Sequence, residues 1–297
     1  MLGGILTFLG DYPVARMHCE QGITLTDPTA QRALVLRHGE APGVMCLAHA
    51  ALTLWCLGYP TQAVQRSQEA LALAQELAHP YSQVVVQHFT TWLQHRRRDV
   101  PAVQAQADAL LSLATTHGLP LWVAFGTCWQ GWALTVQGQS ETGLAQLRQG
   151  MMAVLTMGNR LSQPFCLVLL AEALGLAGKV EEGLRALADA LSAFETSARG
   201  DMRTEAYRLQ GELLLRQATP EVARAEACFQ QAIAVARRQQ AKSWELRAAT
   251  SLARLWQQQG RRTEAHALLA PIYDWFTEGF DTADLQEAKT LLEELAR

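Results

Sequence analysis

Apolar side chains recur along this chain with the period of an α-helix. In the segment 180–194, Leu184, Leu187, Leu191 and Phe194 fall at i, i+3, i+7 and i+10, while Glu181, Arg185, Asp189 and the following Glu195 lie on other faces. No strand-like alternation of comparable length occurs. Polar breaks interrupt the helical runs at regular intervals. Leu57-Gly58-Tyr59-Pro60 recurs in outline as Gln137-Gly138-Gln139-Ser140 and Ala177-Gly178-Lys179-Val180, with weaker copies around Gly10, Arg98 and Gly260. With Ala218 as the remaining copy, the turns stand at 10, 58, 98, 138, 178, 218 and 260, in steps of 48, 40, 40, 40, 40 and 42.

Fixed columns accompany each turn. Five residues after it stands a small side chain, at Ala15, Ala63, Gly143, Gly183 and Ala265, with Val103 as the exception; an insertion around Thr219-Pro220 moves this position to Ala225. Seven before it the column is Ala51, Gly131, Ala171, Gly211 and Ala253, with Thr91 as the misfit, and four before it are Leu54, Leu134, Leu174, Leu214 and Trp256. Small residues let two helix backbones approach while large ones fill the space between them. Pro42, Pro80, Pro120 and Pro164 open first helices, and Pro13, Pro60, Pro101 and Pro220 open second helices, where a missing N–H costs nothing. Pro28 falls in the connection, and Pro271 alone lies inside a helix, where a kink is expected. Each unit is thus a helical hairpin that must stack on its neighbours to bury its apolar face.

These columns resemble the tetratricopeptide repeat, stretched from about 34 residues to about 40. The segments 42–60, 225–240 and 268–285 are similar to the repeat region of bacterial multidomain proteins that join a cyclase or DNA-binding domain to a signalling ATPase. The resemblance implies an all-α, right-handed solenoid of antiparallel hairpins. It implies one superhelix over 1–297, with a truncated first hairpin (1–25), a longer connection (26–43), five to six hairpins (44–280) and a C-terminal capping helix (281–297). The leading edge is expected to be apolar and uncapped. Phe280-Asp281-Thr282 reads as the cap of a polar last helix over 284–296.

Composition narrows the function. Hydrophobic residues make up 49% and charged residues 18%, and Lys+Arg 25 against Asp+Glu 28 leaves a charge of −3, so nothing points to nucleic acid or an acidic membrane. Charge is sparse over 1–150 (17 residues) and dense over 151–297 (36 residues). The uncharged stretches Ala41–Gln65 and Ala109–Ser140 are broken by Pro42 and Pro60 and by Gly118-Leu119-Pro120, so neither offers about 20 unbroken apolar residues. The start lacks a signal peptide's basic region, and six scattered cysteines form no C-x-x-C pair. A cytoplasmic chain is expected.

No catalytic motif, phosphate-binding loop or cofactor fingerprint occurs, so no enzyme, cofactor or metal is implied. Cys46 with His49, and His88 with His95, share helix faces, but two ligands do not make a metal site. Arg96-Arg97-Arg98 either grips an anion or is solvated turn charge. In tetratricopeptide repeats the first helix of each hairpin lines the concave face, at about 13, 10, 6, 3 and 2 residues before the turn. The resemblance therefore assigns a groove to Trp55, His88, Trp92, Arg96, Phe125, Trp132, Glu172, Arg208, Glu212 and Arg216, aromatic in its middle and charged toward the C-terminal end. Trp92 and Trp132 either bind there or pack between hairpins. The implied role is a regulatory scaffold for a protein or peptide segment, such as a signalling ATPase or cyclase domain, with a small-molecule effector as the alternative. A closed pocket lined by Trp92, Phe125 and Trp132 favours the effector, and an open trough the peptide.

Overall fold

In the computed structural model, residues 2–25, 34, 35, 39, 41–197 and 199–297 are described. They form α1 (Leu2–Leu9), α2 (Tyr12–Thr24), α3 (Pro42–Cys56), α4 (Pro60–Leu77), α5 (Pro80–Arg96), α6 (Val100–Thr116), α7 (Pro120–Val136) and α8 (Ser140–Thr156). A short 3₁₀ turn, Arg160–Ser162, precedes α9 (Gln163–Leu176), followed by α10 (Val180–Ser197), α11 (Arg203–Leu215) and α12 (Val222–Arg238). The chain ends in α13 (Lys242–Gln258), α14 (Arg262–Tyr273) and α15 (Ala283–Leu295). Consecutive helices pack as antiparallel hairpins stacked into an α-solenoid, and no strand occurs among the described residues. Most of the expected connection over 26–43, with Pro28, lies outside the described residues.

The turns explain the period. Gly10, Gly58, Arg98, Gly138, Gly178 and Gly260 all have left-handed backbone, with φ between 62° and 92°. Each closes its helix with paired hydrogen bonds; at Gly138 the amide reaches Thr135 O at 3.0 Å and the next amide, of Gln139, reaches Leu134 O at 2.9 Å. The same conformation recurs between hairpins at Ala78, Gly118, Gly158 and Gln240, so a 20-residue half-period underlies the 40-residue one. Arg98 takes the conformation without glycine's freedom, and Asp99 beside it caps α6 through Oδ1 to Ala102 N at 3.1 Å. At Ala218 the extra residues widen the turn and no left-handed residue is needed. Pro271 lies in the last turn of α14, which ends two residues later. Thr282 occupies the N-cap position of α15, but its hydroxyl donates back to Gly279 O at 2.7 Å instead of capping the helix.

Second helices bury one stripe each, as at Ala63, Ser67, Ala70 and Ala74 of α4 or Val103, Ala107, Leu110 and Ala114 of α6. First helices such as α3 and α9 are buried on nearly all sides, because they meet second helices outward and other first helices across the superhelix. The solenoid closes on itself. Ser243 of α13 donates to Trp55 O, Trp244 packs on Trp55 at 4.8 Å between centroids, and Glu278 accepts from Thr61 N (2.9 Å) and Gln62 N (3.1 Å) at the start of α4. That carboxylate satisfies two orphan amides of a helix 217 residues away in sequence. The 199–202 connection dips inward, and Gly200 N donates to Phe8 O at 2.9 Å. A Cβ on Gly200 would stand 2.5 Å from Leu9 O.

Two glycine substitutions separate turn strain from seam contact. Gly138→Ala meets no atom within 4 Å and is expected to lose about 1 kcal/mol in urea unfolding from backbone strain alone. Gly200→Ala is expected to lose about 2 kcal/mol by crowding and to speed hydrogen exchange in α1, which Gly138→Ala leaves unchanged.

Candidate functional site

The interior of the superhelix is divided into three zones by the residues its first helices point inward. The middle is filled. Arg96, two residues before its turn, is fully buried, and its guanidinium lies 5.1 Å from the Trp92 ring centre, 5.6 Å from Trp55 and 5.8 Å from Trp244. It donates to Leu52 O at 3.2 Å and stands 4.0 Å from Asp201. Asp201, 1% exposed, takes a two-pronged contact from Arg199 at 2.9 and 3.0 Å. Buried charges of this kind persist only when paired.

On one side of this plug lies an aromatic cavity of about 440 Å³ between α1, α5 and α7. Phe8 of α1 stacks over Trp92 at 6.0 Å, Trp92 meets Phe165 at 4.5 Å, and His88 meets Phe125 at 4.6 Å. His88 accepts a hydrogen bond from Trp129 Nε1 at 3.2 Å, which fixes its remaining proton on Nε2. Burial, and then the charge of Arg199, pushes the His88 pKa down to about 3; burial pushes His49 down to about 4.

On the other side opens a cleft of about 230 Å³ walled by the C-terminal first helices and α15. Arg98, Arg208, Arg216, Arg247 and Arg254 face Glu172, Glu205, Glu212, Asp284 and Glu287 there. Arg208 forks onto Glu205 with two bonds of 2.8 Å, and Arg247 forks onto Asp284 at 3.1 and 2.6 Å. Burial alone raises the Glu205 carboxyl, but Arg208, then Arg247 and His95, bring it down to about 2. Glu172 accepts from Trp132 Nε1 (3.0 Å) and His95 Nε2 (2.8 Å), which joins the cleft wall to the plug. Against burial, the His95 contact holds the Glu172 carboxyl below its usual range.

The ten residues assigned to one groove therefore fall in different zones. Trp55 and Arg96 are in the plug. His88, Trp92 and Phe125 line the aromatic cavity, and Glu172, Arg208, Glu212 and Arg216 line the charged cleft. Trp132, 3% exposed, spans between plug and cleft. The sequence reading missed Glu205 and Arg247, although both stand thirteen residues before a turn, in the same column as Phe125 and Phe165. It also missed Arg199 and Asp201, which lie in a connection outside every repeat column. Among the described residues no three His, Cys, Asp or Glu side chains gather as a metal site, and no helix is long and apolar enough to cross a membrane.

No family model matches the sequence, and no curated protein matches it. Among solved structures, a Rap protein complexed with competence and sporulation factor superposes with TM-score 0.63 at 15% identity, over 96% of this chain and 80% of that one. Yeast Tom70 superposes at 0.52 and 13% identity over 96% of this chain, which spans 58% of Tom70. The apo form of RapI gives 0.51 and 12% identity, over 95% and 78%. At these identities the likeness is one of fold, and that fold is the tetratricopeptide-like all-α solenoid.

Two outcomes follow from the interior. The depressed His49 and His88 values mean the unfolded chain takes up protons that the folded one refuses, so stability falls as pH drops below about 6.5. The expected slope is about 1.4 kcal/mol per pH unit for each histidine down to about pH 4. His49→Phe, measured by urea unfolding from pH 7 to 4, should remove one of those two contributions. Asp201→Asn should cost about 3–5 kcal/mol by leaving Arg96 and Arg199 uncompensated, read from the same unfolding curves at pH 7.

Proposed function

We propose that this chain is a non-catalytic interaction scaffold that grips a protein or peptide segment in the charged cleft. The observation that carries this reading is the cleft's composition. Its carboxylates are all engaged by arginines, by His95 and Trp132, or by Ser251, whereas Arg216 is exposed on the wall and has no ion pair among the described residues. A segment with an acidic side chain therefore finds a free cation, and basic side chains find carboxylates already taken. The Rap protein of similar fold, in complex with competence and sporulation factor, supports the use of such a solenoid as a binding module.

Within this reading the chain serves as the sensor or partner-binding repeat region of a bacterial signalling ATPase or cyclase system. What supports that is the resemblance of segments 42–60, 225–240 and 268–285 to such repeat regions. The effector alternative is favoured by a different observation, the aromatic cavity bounded by Trp92 and Phe125, which Trp132 does not line.

The test is a peptide-library selection on the whole chain, followed by titration of the enriched peptides. Acidic sequences are expected to dominate. Arg216→Glu combined with Arg254→Glu, both at exposed positions, should weaken them at least tenfold with helicity unchanged. Equal binding by the double variant, or no enrichment at all, overturns the assignment of the cleft.

A further inference from the structure

We propose that the aromatic cavity between α1, α5 and α7 is a second binding site, for a small aryl carboxylate whose carboxylate group meets Arg199. The site is separate from the charged cleft, and its argument starts from charge. Arg199 is the only charged side chain lining the cavity among the described residues, and no carboxylate is part of the lining. Three of the guanidinium's five N–H donors are used, two on Asp201 and one on Leu161 O at 2.9 Å. Two remain for an incoming acceptor.

The buried cluster behind Arg199 strengthens the case. Arg96 and Arg199 share the single carboxylate of Asp201, so the cluster carries a formal excess of one positive charge in a place where less than a tenth of each side chain is exposed. An anion seated against Arg199 would balance that excess. The same field acts on His88, whose pKa is lowered by burial and then by Arg199, and it disfavours any cationic ligand. The polar balance of the walls is also incomplete: Trp92 Nε1 and His49 Nδ1 are buried without a hydrogen bond, and both residues line the cavity.

The walls define the rest of the ligand. Phe8, Phe89, Trp92, Trp122 and Phe125 present ring faces and edges around about 440 Å³, a volume in the range of small-molecule sites. They come from helices whose backbone amides are bonded internally, so an extended peptide has no strand edge to pair with. A flat apolar body with one carboxylate fits both the rings and the cation.

Calorimetric titration of the whole chain with naphthalene-2-carboxylate, and with naphthalene-2-carboxamide as its neutral isostere, tests the proposal. Saturable one-to-one binding is expected, with the carboxylate at least tenfold tighter than the amide. Arg199→Gln should bring that ratio below threefold. Because Arg199 also holds Asp201, a second variant at the exposed rim, Leu161→Trp, should weaken both ligands at least tenfold while leaving the unfolding curve in place. Absence of saturable binding to the unaltered chain, equal affinity for acid and amide, or full affinity in Leu161→Trp overturns the proposal. So does tighter binding of the peptide Gly-Gly-Trp than of the naphthoate. Arg216→Glu with Arg254→Glu, which tests the cleft, is expected to leave naphthoate binding unchanged.

Discussion

Asp201 accepts one guanidinium at 2.9 and 3.0 Å and stands 4.0 Å from a second, and the interior of the superhelix is organised around that carboxylate. Arg96 reaches it from the second full hairpin, and Arg199 from the connection that follows the fifth hairpin of the chain. Tyr12 of the first hairpin donates its hydroxyl to the Asp201 carbonyl at 3.2 Å. Three parts of the solenoid far apart in sequence therefore converge on one residue. Desolvating two arginines is tolerable only because the three tryptophans around Arg96 supply ring faces and Asp201 supplies charge. Without that compensation two buried cations would stand unpaired at the centre of the closed superhelix.

Closure decides what the concave face can do. In an open solenoid the column six residues before each turn would line a continuous groove. Here Leu52, Trp92 and Trp132 in that column are covered, while Glu172 and Glu212 are half-buried and Arg254 is exposed. The change along one column follows from geometry: the returning helix α13 meets α3 and α5 across the axis, through Ser243 on Trp55 O and Arg247 on Arg96 O, and Asp201 of the inward connection meets Arg96 beside it. The wall nearer the C-terminus keeps its cleft, and α1 leaves an aromatic hollow on the opposite side.

Local rules could be read directly from the residues. Glycine at Gly58, Gly138 and Gly178, small residues five after and seven before, and proline at the starts of α2–α7 and α9 specify those hairpins, whereas Pro220 falls just before the Glu221 N-cap of α12 instead of inside its first turn. The half-period escaped notice because Ala78 and Gln240 take left-handed backbone without a glycine to announce it. The three interior zones escaped for a different reason. Superhelical pitch is the sum of small rotations between hairpins, and no single repeat records it. Arg199 and Asp201 obey no repeat column, so only the assembled interior gives them meaning. Thr282 does stand at the N-cap position of α15, but a local motif competes for its hydroxyl: Gly279 offers its carbonyl at 2.7 Å.

Glu278 capping α4 has a kinetic side. Hairpins of an open array nucleate anywhere and propagate to their neighbours, since every contact is local. The bond from Glu278 to Thr61 links residues 217 apart, so it forms only after the intervening repeats have stacked with the right curvature. Such long-range closure raises the average separation of contacting residues and slows the final step of folding. Once made, it ties the connection before α15 to the start of α4, and those two stretches cannot separate without first parting that seam.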